Sequence, residues 1–338
     1  MLLPEPCGPL SGALTRALRA DSALFPVPEV APPDPLGDDD LQLALWTCLE
    51  LHYRGFDEVD DRREWDPAVI RLRRALEDQL LDALRRDVPV PAGSDSVPET
   101  LRELVDDDDG PPLSRHLQRT ATRAQFEEFA IHRSLYQLKE ADPHTWAIPR
   151  LTGRAKSALV EIQFDEYGRG TLARMHSELY RKLLRGLGLD DGYGAYIDDV
   201  PGITLAVGNV MSVLGLRREL RGAVVGHLAA YEMTSSAPCR RYAQGLRRLG
   251  GSDAACEFFD EHVTADALHE QLAAHDLCGG LAQSEPRLAE QILWGAAVSL
   301  HVDNRFAAHV LDHWTEGRTS LRDPAARPAG ELASAGAE

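Results

Sequence analysis

Apolar positions recur at helical spacing through most of this chain. From Leu41 to about Tyr53 the residues Leu41, Leu45, Cys48, Leu49 and His52 fall on one face, and a similar pattern covers about 67–86. From Leu113 to about Gly317 the chain reads as successive helices rich in Leu, Ala, Arg and Glu, all good helix formers. The breaks between them fall at Asp142-Pro143, Pro149, Gly186-Leu187-Gly188, Pro201-Gly202, Ala237-Pro238, Gly250-Gly251, Gly279-Gly280 and Glu285-Pro286. No stretch alternates with period two, so no sheet is expected and the fold class is all-α. Residues 1–39 are rich in Pro and Asp, with Pro26, Pro28, Pro32, Pro33 and Pro35 close together, and read as an extended or disordered arm. Residues 87–112 carry several prolines and the run from Asp106 to Pro112, which reads as a solvated loop. The expected organisation is an arm over 1–39, a helical extension over 40–112, a main helical domain over 113–322 and a flexible tail over 323–338.

Composition narrows the function classes. The 338 residues are 43% hydrophobic and 27% charged, ordinary values for a globular protein with a sizeable core. The formal net charge of -18 and a sequence pI near 5.1 argue against a nucleic-acid partner and against charge-driven binding to an anionic membrane. Five scattered cysteines show no paired spacing, which argues against zinc ribbons, redox dithiols and a disulfide scaffold. The first residues lack a basic start followed by an apolar run, and no stretch reaches the roughly eighteen apolar residues of a membrane span. A cytoplasmic protein is expected.

The chemistry concentrates in three segments. In Glu261–Glu270, at about 100° per residue, Asp266 lies about 40° and His269 about 20° from His262, so the three side chains leave one face. Two imidazoles and a carboxylate there suit iron, manganese or zinc. The competing reading is a solvated polar face, since Glu261, Glu270 and Gln271 flank it. A second segment sets Asp165 and Glu166 in an apolar helical pattern, with His176 ten residues beyond Glu166. Buried carboxylates are costly unless paired or metal-bound. On an ideal helix Asp165 aligns with His176 better than Glu166 does, and local overwinding or a π-bulge would reverse that. Gly168 and Gly170 mark a bulge or a close backbone approach; pairing of the acids with Arg169 or Arg174 is the structural alternative. The third candidate is Glu140, which closes a helix where a carboxylate opposes the dipole; Lys139 or solvent is its alternative partner.

Taken together, a Glu, then Glu-x9-His, then His-x3-Asp-x2-His resembles the haem-oxygenase-like diiron oxidases and oxygenases, in particular the actinobacterial members described as iron-containing redox enzymes. Lys139–His144, Asp165–Gly168, Gly226–Leu228 with Glu232–Ser236, and Glu261–Glu270 carry the resemblance, which covers about 113–317. It implies a seven-helix haem-oxygenase-like bundle holding two iron ions rather than haem, with O2 as co-substrate. By position it assigns Glu140, Glu166, His176, His262, Asp266 and His269 as metal ligands, with Glu128 the rival of Glu140 and Asp165 the rival of Glu166. It implies a small-molecule substrate, an amine, amino acid or fatty acid, and N-oxygenation or oxidative C–C cleavage in specialised metabolism. An external electron donor and a homodimer are open expectations. A ferritin-like site needs two Glu-x-x-His pairs and only Asp266-x-x-His269 is comparable. A single haem ligand would leave that pair unexplained. The second function reading is a non-catalytic helical domain that binds a ligand or protein, with a polar or structural-metal core.

His309 and His313 stand four apart on the last helix, where an amphipathic face is favoured over zinc. Arg217, Arg218 and Arg221 read as a solvated face, with Arg221 as a minority candidate for a substrate carboxylate. Asn209, Ser212, His227 and Glu232 are expected to line the cavity or to support the ligands.

Overall fold

Local signals set where the helices begin and end. Asp38 and Asp66 each accept a hydrogen bond from a first-turn amide, and Thr122 exchanges bonds with Gln125 in a capping box. Gly188 closes another helix in the left-handed conformation, at φ 81°. The computed structural model describes residues 1–20, 30–92 and 96–322, apart from the side chains of 264–268. Its helices are α1 Pro9–Arg19, α2 Asp39–Glu50, α3 Pro67–Asp87, α4 Val97–Asp106, α5 Leu113–Arg119, α6 Arg123–Gln137, α7 Asp142–Thr145 and α8 Gly153–Glu166. After them come α9 His176–Leu187, α10 Gly202–Leu216, α11 Arg221–Thr234, α12 Ser236–Arg248, α13 Asp253–Gln271, α14 Gly280–Ser284 and α15 Ala289–Thr315. A π-helical stretch, Leu272–Gly279, joins α13 to α14. Among the described residues there is no strand, and no helix is long and apolar enough to cross a membrane.

The centre of the bundle is the α11–α15 pair, which packs backbone to backbone. A Cβ on Gly226 would overlap the Ile292 carbonyl oxygen, and one on Gly295 would overlap that of Ala223. Around this pair lie α10 against α2, α13 against both α9 and α12, and α8 against the π-helical stretch. One apolar cluster runs from Leu14 and Leu45 through Leu76, Phe126 and Val224 to Phe258 and Val310. The segment 40–92 therefore shares the core of the residues that follow it.

Three expectations need correction. Residues 9–19 form a helix rather than part of an extended arm. Asp40 accepts bonds from the amides of Leu10 and Ser11, and Leu14 and Leu18 are buried. Residues 97–106, read as loop, form α4, whose Leu101 is fully buried. Arg217 and Arg221 are buried rather than solvated. Arg217 pairs with Asp78 at 2.8 Å, and Arg221 pairs with Glu285. The prolines at 26 and 28 and the tail from 323 lie outside the described residues.

The last described residues are tied to α6. His132 is buried, with Nδ1 2.7 Å from Thr204 Oγ1 and Nε2 3.0 Å from Ser320 Oγ. Burial first, and then the charges of His309 and Arg133, hold its pKa well below 6.5. The neutral ring is thus favoured by folding. Its contribution is complete above the ordinary pKa of 6.5 and lost as pH falls below it. In urea unfolding, the loss of stability between about pH 7.5 and 5.5 should be smaller in H132Q than in the parent chain; equal losses would contradict this. Gly226→Val should cost about 1–3 kcal/mol by forcing α11 from α15, and an unchanged urea midpoint would show that the two backbones do not touch.

Candidate metal centre

Five chain segments converge beside the α11–α15 pair, and each brings a titratable side chain. Glu140 lies in the turn after α6. Glu166 is the last residue of α8 and His176 the first of α9. Glu232 sits near the end of α11, and His262 and His269 project from one side of α13, two turns apart. Glu166 and His176 are therefore not on one overwound helix. Gly168, Arg169 and Gly170 take positive φ values of 66°, 54° and 76°, and this left-handed turn breaks the helix between the two residues. A Cβ on Gly168 would meet the amide nitrogen of Met175 at 2.5 Å, so glycine lets the turn fold back onto the start of α9.

The first cluster is Glu140, Glu166, His176 and His262, whose candidate ligand atoms all lie within 4.8 Å of one another. His176 Nδ1 is 2.8 Å from Glu166 Oε2 and 3.7 Å from Glu140 Oε2, and His262 Nε2 is 3.5 Å from Glu140 Oε1. His262 Nδ1 donates to the Phe258 carbonyl at 2.8 Å, which leaves the Nε2 lone pair turned to the carboxylates. Tyr136 donates its hydroxyl to Glu140 Oε1 at 3.0 Å.

The second cluster is Glu166, Glu232 and His269. His269 Nδ1 is 3.3 Å from Glu232 Oε2. Its Nε2 is 3.1 Å from Asp165 Oδ2, and Asp165 is held in turn by Arg169 at 2.7 Å. Asp165 thus orients an imidazole, while Glu166 belongs to both clusters. The Asp266 side chain lies outside the described residues; its backbone is in α13, one turn beyond His262.

The donor set fits divalent metal. Glu166 Oε2, His176 Nδ1 and His269 Nδ1 are buried without a hydrogen-bond partner, although His176 and Glu166 are only 2.8 Å apart. His176 and His269 thus meet Glu166 in its two separate clusters, each turning a ring nitrogen toward carboxylates. Burial works against charge at Glu140, but the imidazoles of His262 and His176 hold its carboxyl well below the usual range. Burial likewise disfavours protonation of the histidines, yet Glu166 and Glu140 raise His176 well above 6.5, and Glu232 with Asp165 raise His269 to about 9. These directions favour protons on His176 and His269 beside the carboxylates when no metal is bound, and a divalent ion would replace them.

The remaining candidates fall elsewhere. Glu128 accepts from Trp314 Nε1, the Ser320 amide and Ser320 Oγ, which removes it as a rival of Glu140. Asn209 bonds Gln42, and Ser212 bonds Tyr53, within the packing of α10 on α2. His227 faces His144 at 3.3 Å. His309 and His313 bond backbone carbonyls, of Ser320 and His309. Glu232 is the residue whose role the sequence understated: it reaches a ligand cluster itself. Its one sequence signal was a carboxylate in an otherwise apolar helix, the same signal that picked out Glu166.

Against this geometry, the model of the iron-containing redox enzymes matches residues 127–304. The chain belongs to this family. The matched range holds every residue of both clusters, and the all-α fold is haem-oxygenase-like. A curated relative, nitrosourea synthase of Streptomyces achromogenes subsp. streptozoticus, is 29% identical over 147 residues, which cover 44% of this chain and 31% of that protein. The match thus spans about a third of the relative's length.

Two variants test the geometry. After anaerobic ferrous loading and desalting, His262→Ala should lose bound iron, read by chelator assay. Asp165→Asn should keep iron but bind it about 10–100-fold more weakly, because His269 loses its orienting partner. Full iron retention in H262A would exclude the first cluster as the metal site.

Proposed function

We propose that this chain is a non-haem diiron oxidoreductase that uses O2 on a small molecule. The observation that carries the reading is Glu166, whose carboxylate belongs to two ligand clusters at once. Glu140, His176 and His262 would complete one iron site, and Glu232 and His269 the other. Asp266, placed by its helix position between His262 and His269, is proposed as a further ligand. When bound, the irons supply O2 reduction.

The chain's own residues support that chemistry. Asp165 and the Phe258 carbonyl each hold a proton on the far nitrogen of an imidazole, at His269 Nε2 and His262 Nδ1. Tyr136 keeps a hydroxyl proton against Glu140 Oε1. Glu140 and His262 also line a cavity of about 110 Å³ walled by Phe129, Tyr180, Phe258 and Phe259, an aromatic surface against which part of a substrate would pack.

The name of the relative favours oxidation at nitrogen, since a nitrosourea contains an N-nitroso group. In that reaction an amine N–H becomes N–OH. The second oxygen atom leaves as water, and an external donor supplies two electrons while two protons are taken up. Oxidative C–C cleavage of an amino acid or fatty acid is the second outcome to be assayed.

Ferrous loading should give two irons per chain, and Glu166→Ala should leave one or none. With a reductant present, O2 uptake should rise on addition of one member of a panel of amines, amino acids and fatty acids, and a hydroxylamine product should be found by mass spectrometry. Two irons retained by E166A would refute the shared carboxylate.

A further inference from the structure

The aromatic cavity beside Glu140 shares a charged wall, a neck between them, with a more open cavity. Arg133, Asp303, Tyr231, Thr234, Pro238 and Tyr242 line both this inner chamber and an outer vestibule formed by α11, α12, α15 and the turn before α5. Arg133 Nη2 donates to Asp303 Oδ1 at 2.7 Å. The guanidinium lies over the Phe306 ring at 4.5 Å, and its side chain is 12% exposed, whereas that of Asp303 is 40% exposed. An ion pair in such a place is weak as a stabilising device, because desolvation of the arginine offsets most of the attraction. Apolar residues would seal the neck at least as well. The pair makes better sense as recognition.

The two charges specify what is recognised. A free carboxylate at Arg133 would sit beside the uncompensated Asp303, and a free ammonium at Asp303 would face Arg133. A zwitterion satisfies both and carries no net charge into the neck. The vestibule rim has Asp108 and Asp109 together with Arg115 and Arg241, so it favours neither sign. Arg133 stands seven residues before Glu140, roughly 10 Å along the chain if α6 is extended at 1.5 Å per residue. A head group held at the neck would therefore place atoms several bonds away at the metal clusters.

We propose that Arg133 and Asp303 form the head-group site for an α-amino acid, whose side chain runs through the aromatic chamber and reacts at its far end. The reacting end rests on the diiron reading above; the head-group site stands on the neck itself. Carboxylate pairs with Arg133, ammonium with Asp303, and Phe129, Tyr180 and Phe258 enclose the side chain. Fatty acids and simple amines are disfavoured, since each leaves one member of the pair unmatched.

Binding to the metal-free full chain separates this assignment from the metal chemistry. Three probes share one skeleton: L-homophenylalanine, 4-phenylbutanoate, which lacks the ammonium, and 3-phenylpropylamine, which lacks the carboxylate. By calorimetry the amino acid should bind, and each truncated probe should bind roughly tenfold or more weakly. Arg133→Met should reduce the amino acid to the level of the amine, and Asp303→Asn to that of the acid. Far-UV circular dichroism checks the fold, and Asp303, being partly exposed, keeps the test decisive if R133M does not fold. No binding of the amino acid, equal affinity for all three probes, or an unchanged preference in D303N overturns the proposal. Iron uptake measured on the same variants reports on the metal clusters independently.

Discussion

Three carboxylates, Glu140, Glu166 and Glu232, are turned inward toward three imidazoles where five chain segments meet. Isolated, each buried charge would be prohibitive. Together they form two clusters that balance only when cations, either protons on the histidines or metal ions, occupy the space between them. Much of the surrounding structure serves to bring these groups within a few ångströms. The left-handed turn at 168–170 breaks one helix so that Glu166 and His176 face each other from its two sides. The α11–α15 contact removes two β-carbons so that α11, which carries Glu232, can seat deeply in the bundle.

The support for Glu140 extends well outside the matched family range. Lys139, its neighbour, places Nζ 2.9 Å from Glu50 Oε2 in the core, and Tyr193 donates to the same oxygen at 2.8 Å. Arg54 donates to the Leu138 carbonyl and stacks on the Tyr193 ring at 3.9 Å. The turn after α6 is thus anchored by α2 and the residues that follow it. The N-terminal helices belong to the frame of the centre rather than to a separate appendage, and α1 is clamped to α2 through Asp40. Breaking the Glu50–Lys139 pair would leave an uncompensated buried charge one residue from a candidate ligand.

Three cavities with shared walls surround the clusters. The clusters border an aromatic chamber, and Arg133 and Asp303 line both that chamber and the outer vestibule. Tyr231 lines all three compartments. Aromatic walls thus lie beside the clusters, and the Arg133–Asp303 ion pair lies on the side of the vestibule.

Helical periodicity and the absence of a two-residue alternation were enough to establish an all-α chain, because each is a local property of the sequence. The shared face of His262 and His269 was equally legible, since seven residues make nearly two turns wherever the helix sits. The partners across the bundle were not. Glu232 is separated from His269 by a whole helix and two turns, so only packing could show that it joins a cluster, and only packing could assign Glu128 to Trp314 and Ser320. The choice between Asp165 and Glu166 depended on where α8 stops. That is decided by glycines whose left-handed conformations a helical wheel does not contain. Helix α1 and helix α4 were missed for a related reason: each is short, and its stability comes from tertiary burial of Leu14 and Leu101 rather than from local propensity. The sequence determined which residues could bind iron; the tertiary structure decided which of them meet, because ligation depends on distances that only the folded chain sets.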